Sequence, residues 1–153
     1  MSLHLVSIWL INTSVVTAAV IIHYEALYLM SRKLAHFKGP HRYRILVGVF
    51  GTLVAHAIEV WIFATAYYIM HKTEGWGKLV SFTDSDAPIR LYDCIYFSFS
   101  TYSTLGYGDI TPTGDMRYLT GIEALTGLVL VAWSASFLYL EMQQNWTSSN
   151  NKR

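Results

Sequence analysis

The chain has 153 residues, 53% of them hydrophobic and only 14% charged, with a formal net charge of +1. No block of basic residues has the length or the aromatic interleaving of a nucleic-acid interface, which argues against such a partner. One cysteine, Cys94, leaves no internal disulfide available and reads as a small packed residue.

The apolar residues are gathered, not dispersed. Blocks over residues 5–30, 45–70 and 116–140 are each long enough to cross a hydrocarbon layer of about 30 Å. The amino terminus lacks the basic flank and small-residue cleavage site of a removable signal, so the first block reads as a retained membrane helix. Asn12, Thr13, Ser14 and Thr17 within it are small polar residues that a span tolerates. His23 and Glu25, two positions apart, do not share a helix face. They read as a polar helix end reaching the headgroups or the neighbouring loop, not as a metal pair.

Arg32, Lys33, Lys38, Arg42 and Arg44, with His36 and His41, surround Gly39-Pro40. The Gly-Pro pair breaks the helix, and the five cations assign the loop to the cytoplasm. The expected protein is therefore a multi-pass protein of the cell membrane, with its N-terminus outside and its Lys152-Arg153 tail inside.

In the second block Gly48 and Gly51 permit a close helix crossing near the inner end. His56 and Glu59, spaced by three, share one face near mid-membrane, where an unpaired charge is expensive. Residues 71–90 form a polar outer linker punctuated by Gly75, Gly77 and Pro88, expected to be a solvated loop. On that side Glu74, Asp84, Asp86, Asp93, Asp109 and Asp115 outnumber Lys72, Lys78, Arg90 and Arg117, an excess that concentrates cations at a mouth.

Asp93 is expected to cap a short helix over residues 94–103, whose Tyr96, Phe97, Phe99 and Tyr102 suit a wedge between spanning helices. A helix that stops half way across aims its negative dipole end at the membrane centre. Thr104-Leu105-Gly106-Tyr107-Gly108-Asp109 follows. Gly106 and Gly108 can take the left-handed dihedrals needed to aim consecutive carbonyls at one axis. Irregular backbone at this depth is tolerated only inside protein or beside water.

The third block carries Glu123, Gly127 and, on one recurring face, Leu128, Val131 and Ala135, which would line an apolar cavity. Glu59 and Glu123 lie at similar depth and His56 about one turn deeper. The three are expected to form one buried polar cluster. It serves either as a static tie between helices or as a proton sensor. Neither of the first two blocks holds the Arg or Lys repeat of a voltage sensor.

Ser100-Thr101-Tyr102-Ser103-Thr104-Leu105-Gly106-Tyr107-Gly108-Asp109 resembles the pore signature of the potassium-channel superfamily, whose filters usually read Thr-Val-Gly-Tyr-Gly-Asp. Tyr92-Asp93-Cys94-Ile95-Tyr96-Phe97-Ser98 is similar to the opening of its pore helices, and Pro112, Arg117 and Gly127 continue the match. The resemblance covers residues 45–141 and leaves out the first third.

It implies an all-α membrane protein of three transmembrane helices plus a re-entrant pore helix and selectivity filter, in the tetrameric potassium-channel architecture. By that resemblance the carbonyls of Thr104, Leu105, Gly106 and Tyr107, with the Thr104 hydroxyl and Gly108 beside them, hold K+. Leu105 replaces the usual Val, Tyr107 carries selectivity, and Asp109 braces the filter from outside, with Ser100 and Asp93 as further supports. Gly127 falls at the family's gating-hinge position, where a packing glycine is the alternative.

The implied organisation is residues 1–44 as an extra helix and basic loop, 45–141 as the pore domain, and 142–153 as a short polar cytoplasmic tail. The expected function is passive K+ conduction by a homotetramer in membrane lipid, with K+ as permeant ion, no other cofactor and no enzymatic activity. Alternatives are a non-selective cation channel and a non-conducting accessory subunit. A third is a membrane metal-binding protein using His23, Glu25, His56, Glu59 and Glu123, although no His-Glu-x-x-His pair exists.

Overall fold

The computed structural model describes residues 3–36, 41–83 and 88–150. Lys38, the Gly39-Pro40 break, Asp84, Asp86 and the Lys152-Arg153 tail lie outside the described residues. Three long helices, α1 (Leu3–Ala35), α2 (His41–Lys72) and α4 (Met116–Asn150), surround a short one, α3 (Leu91–Tyr102). Within them Leu5–Ala35, Tyr43–Lys72 and Met116–Gln143 are long and apolar enough to cross a membrane.

All three exceed their expected bounds for local reasons. The last turn of α1 carries Arg32 and Lys33, cations that favour a helix C-terminus, and it buries Leu34. Beyond Leu140, α4 continues to Asn150 because the segment opens with good helix formers, Glu141, Met142 and Gln143, and contains no Gly or Pro.

A stripe of Ile8, Asn12, Ala19, His23, Leu27 and Leu34, at helical spacings, seats α1 on α2 and α4. Leu10, Ile21, Tyr24, Tyr28 and Leu29 stay exposed. Small residues on α2 bring the three helices together near the basic-loop end. A Cβ on Gly51 would fall 2.2 Å from Met30 Sδ of α1, and one on Gly48 would fall 3.0 Å from Leu138 Cδ2 of α4. There Arg44 Nη2 also donates to Glu141 Oε2 at 2.8 Å, an ion pair that fastens the start of α2 to α4.

The wedge α3 packs against α2 and α4 and fills the core with Cys94, Phe97 and Tyr102, against Phe63, Tyr67 and Met70 of α2 and Met116 and Leu119 of α4. Its start corrects the expected cap. Arg90 is the N-cap, and Asp93, the third helical residue, reaches back so that its Oδ2 accepts the Arg90 backbone N–H at 2.7 Å. Asp93 thus satisfies an N-terminal donor as the returning arm of a capping box rather than as the cap itself.

The linker after α2 is more ordered than a solvated loop. Its β1 (Leu79–Ser81) pairs antiparallel with β2 (Ile110–Pro112), in the register Leu79↔Pro112, Val80↔Thr111, Ser81↔Ile110. Phe82 N–H donates to the Asp109 carbonyl and Thr113 N–H to the Lys78 carbonyl, both at 2.8 Å. Leu79 is buried, and its N–H donates to His71 Nδ1 at 3.1 Å. A buried apolar residue and a set of backbone bonds therefore hold the chain that follows Asp109.

Gly77 is the tight point of this ribbon, with φ +103 and a would-be Cβ 2.1 Å from the Thr113 carbonyl oxygen. Gly77→Ala is expected to lower stability by more than ~1 kcal/mol. Lys78→Ala, which keeps both backbone bonds, should stay within ~0.5 kcal/mol of the parent. Thermal melts of the two purified variants check this.

Candidate ion pathway

The C-terminal end of α3 determines the path of the chain that follows it. Ser103 N–H donates to the Phe99 carbonyl (3.1 Å), Thr104 N–H to that of Thr101 (2.9 Å) and Gly106 N–H to that of Ser100 (3.1 Å). The loop is thereby folded back over the helix end. Thr104, Gly106 and Gly108 have φ of 60°, 53° and 80°, whereas Leu105 and Tyr107 between them do not take positive φ. Thr104 is the one non-glycine residue with positive φ among the described residues, a conformation that costs energy and persists only where the surroundings impose it.

Residues 104–108 are all exposed in the single chain. Tyr107 stacks on Tyr96 of α3 with centroids 6.4 Å apart and planes 7° from parallel. The Tyr96 hydroxyl also hydrogen-bonds the Asp109 side chain. One aromatic residue of α3 therefore contacts both ends of the 107–109 segment. A groove of about 350 Å³ runs beside the loop, lined by Thr104, Gly106 and Gly108 together with Phe97, Thr120 and Ala124. Ser100 is buried and donates to the Phe97 carbonyl at 3.2 Å. Leu128, Val131 and Ala135 lie on an exposed face of α4.

Gly127 sits where α4 crosses the end of α3. A Cβ there would fall 2.2 Å from the Tyr102 carbonyl oxygen. The position is closed to any side chain unless α3 moves.

The expected cluster of His56, Glu59 and Glu123 divides into two. Glu123, on α4, is fully buried: Tyr67 Oη of α2 donates to its Oε2 at 2.5 Å, and the Ser98 hydroxyl of α3 bonds its Oε1. Ser98 Oγ also lies 2.9 Å from the Val60 carbonyl oxygen, and Thr120 Oγ1 lies 3.4 Å from Tyr67 Oη.

His56 and Glu59 belong to the other group, completed by a residue assigned elsewhere from sequence. His23 of α1 is fully buried, not a helix end at the headgroups, and its Nδ1 donates to Glu59 Oε1 at 2.8 Å. His56 Nδ1 lies 3.1 Å from Glu59 Oε2 and 2.9 Å from Tyr102 Oη, and the Tyr102 hydroxyl donates to Glu59 Oε2. Ser134 Oγ of α4 sits 3.4 Å from His23 Nε2 and 3.1 Å from His56 Nε2. The imidazole rings lie 5.2 Å apart. Glu25 is exposed and takes no part in this group.

Glu59 and Glu123 separate because they meet different turns of α3: Tyr102 is its last residue, and Ser98 lies one turn earlier. His23 could have been found from its spacing, four residues after Ala19 and four before Leu27 on one helix face, a face that the structure buries. The Arg44–Glu141 pair had a fainter signal, a charge at the end of each apolar block.

Three membrane-length helices around a short wedge and a glycine-bearing loop make a channel-pore architecture in a multi-pass membrane protein. Residues 55–144 match the family described as "Ion channel". The chain belongs to that ion channel family, with an additional apolar helix before the matched region. Protein LctB of Geobacillus stearothermophilus is 31% identical over 121 residues, covering 77% of this chain and 85% of that protein. No solved structure matches.

The fit at Gly127 separates packing from hinge behaviour. Gly127→Ala is expected to lower thermal stability by about 1–3 kcal/mol, through displacement of α3, and to reduce ion flux in liposomes. Wild-type stability with altered flux alone would mark a hinge instead.

Proposed function

We propose that the protein is a potassium-selective channel, a homotetramer that passes K+ down its gradient through a filter formed by residues 104–108. The observation that carries this reading is the alternation of left-handed Thr104, Gly106 and Gly108 with Leu105 and Tyr107. Such alternation turns successive carbonyl oxygens to one side, the arrangement that replaces the water shell of a dehydrated cation. One chain supplies one wall. The exposure of the whole loop and of Leu125, Leu128 and Val129 supports assembly from several chains around an axis.

In this reading the carbonyls of Thr104, Leu105, Gly106 and Tyr107 and the Thr104 hydroxyl hold K+. Tyr96 anchors Tyr107 and Asp109 behind the filter, and Leu128, Val131 and Ala135 face the cavity below it. Residues 45–141 make the pore domain. The N-terminus and the β1–β2 ribbon lie outside, and the Arg44–Glu141 end lies in the cytoplasm, as the basic loop directs.

Reconstituted in liposomes, the protein should show a reversal potential that follows the K+ gradient and ignores the Na+ gradient. Native mass spectrometry should give four subunits. Equal permeability to Na+ would support the non-selective alternative, and absence of flux from the protein alone would support an accessory subunit.

Proton modulation is assigned to Glu123. Its hydrogen bonds close without a conflict when the carboxyl carries a proton: Glu123 donates to Ser98, Ser98 to the Val60 carbonyl, and Tyr67 to Glu123. An ionised Glu123 competes with Val60 for the one Ser98 proton. Tyr67 of α2 is the titratable group in contact, and Tyr102 of α3 is the next in electrostatic reach. Raising the pH should change wild-type current, and Glu123→Gln, which stays neutral, should flatten the response. An unchanged pH profile in Glu123→Gln would remove this assignment.

A further inference from the structure

We infer that His23, His56 and Glu59 form a binding site for a divalent transition-metal ion, built between α1 and the pore-forming helices. One ligand atom from each residue lies within 4.8 Å of the others. Two imidazoles and a carboxylate suit borderline ions such as Zn2+ or Co2+ rather than Ca2+ or Mg2+, which prefer all-oxygen shells.

The hydrogen bonds of these side chains set which ring nitrogens could face such an ion. With Glu59 as a carboxylate, it can only accept, so both imidazoles must donate through Nδ1 at 2.8 and 3.1 Å. Both Nε2 lone pairs then converge on Ser134 Oγ, at 3.4 and 3.1 Å. Ser134 owns a single proton, so one buried nitrogen is left without a donor, a costly state.

A metal ion at Nδ1 of both rings reverses the arrangement. Each neutral imidazole keeps one proton, moved from Nδ1 to Nε2, and both Nε2–H groups donate to the two lone pairs of Ser134 Oγ. Ser134 then acts as the shared outer partner of both metal-bound imidazoles. Metal–ligand bonds of about 2.0–2.2 Å in a tetrahedron place neighbouring ligand atoms about 3.3 Å apart, so ligand atoms that lie within 4.8 Å of one another close in around the ion when it enters. Tyr102 Oη, 2.9 Å from His56 Nδ1, offers an oxygen as a fourth ligand. His56 keeps 16% of its side chain accessible, which leaves a way in. Because Tyr102 ends α3, an ion held here would also fix the helix end that shapes residues 104–108.

Co2+ is titrated into the full chain, purified in detergent with chelator-treated buffers, and followed by its visible absorption. One Co2+ per chain with tetrahedral-type bands, displaced by Zn2+, is expected. His23→Gln should weaken binding at least tenfold, and Ser134→Ala, which keeps all three ligands, about ten- to a hundredfold. The absence of saturable binding by the folded chain overturns the proposal, as does wild-type affinity in His23→Gln. Should His23→Gln fail to fold, wild-type affinity and spectrum in Ser134→Ala overturn it equally. Binding is read without ion flux, so its failure is distinct from failure of the proposed pore.

Discussion

The attachment of the last residue of α3 is the constraint from which the pore region follows. A helix of 12 residues is marginal on its own, and tertiary contacts must decide where it ends. Tyr102 is held at its hydroxyl by Glu59 and His56 of α2, and its carbonyl oxygen sits close against the bare backbone of Gly127 on α4. One turn back, Ser98 meets Glu123. The carbonyls of Ser100 and Thr101, thus placed, receive Gly106 and Thr104 and set the left-handed residues in order. At the other end β1 holds the chain just past Asp109. A strained loop between two fixed ends keeps its dihedrals because neither end can give way.

Two acidic side chains make this grip possible in an environment hostile to charge. An unpaired ion at membrane depth is expensive, and removing one partner of a buried charged network costs several kcal/mol. Glu59 and Glu123 each have hydrogen-bond partners from more than one helix: His23, His56 and Tyr102 for the first, Tyr67 and Ser98 for the second. The first set includes α1, which lies outside the region matched to the family. Apolar packing alone gives little preference for one helix neighbour over lipid. A buried His–Glu bond gives the preference, and it gives α1 one register, because only one turn of the helix presents His23.

Elements governed by local chemistry were legible in the sequence. The three apolar blocks became α1, α2 and α4, the aromatic run became α3, and positive φ at Gly106 and Gly108 was readable because glycine adopts it without cost. Contacts across elements were read less well. The linker showed Gly and charge but hid the pairing of Leu79 with Pro112, since a three-residue strand has no period to detect. Asp93 looked like a cap because caps are local, whereas the helix start depended on Leu91 and Tyr92 continuing it. Glu123 was placed with His56 and Glu59 by depth alone, and depth carries no angular information about which turn of α3 each would meet. His23 was read from its neighbours in sequence, and its partner lies 36 residues away.

The exposed surface of the single chain has two characters, and only one is compatible with lipid. Leu10, Ile21, Tyr24, Tyr28 and Leu29 on α1, and Leu53, Val54 and Trp61 on α2, present side chains over a backbone whose polar groups are satisfied within the helix. Residues 104–108 present irregular backbone, including two glycines with nothing within 4 Å of where a Cβ would stand. Hydrocarbon cannot satisfy such groups, so this face must meet water, ions or protein. Leu125, Leu128 and Val129 of α4, exposed alongside, are apolar and would not by themselves line an open aqueous surface. Polar backbone and an apolar wall thus share one exposed face of the chain, the face that further copies would cover in the proposed assembly.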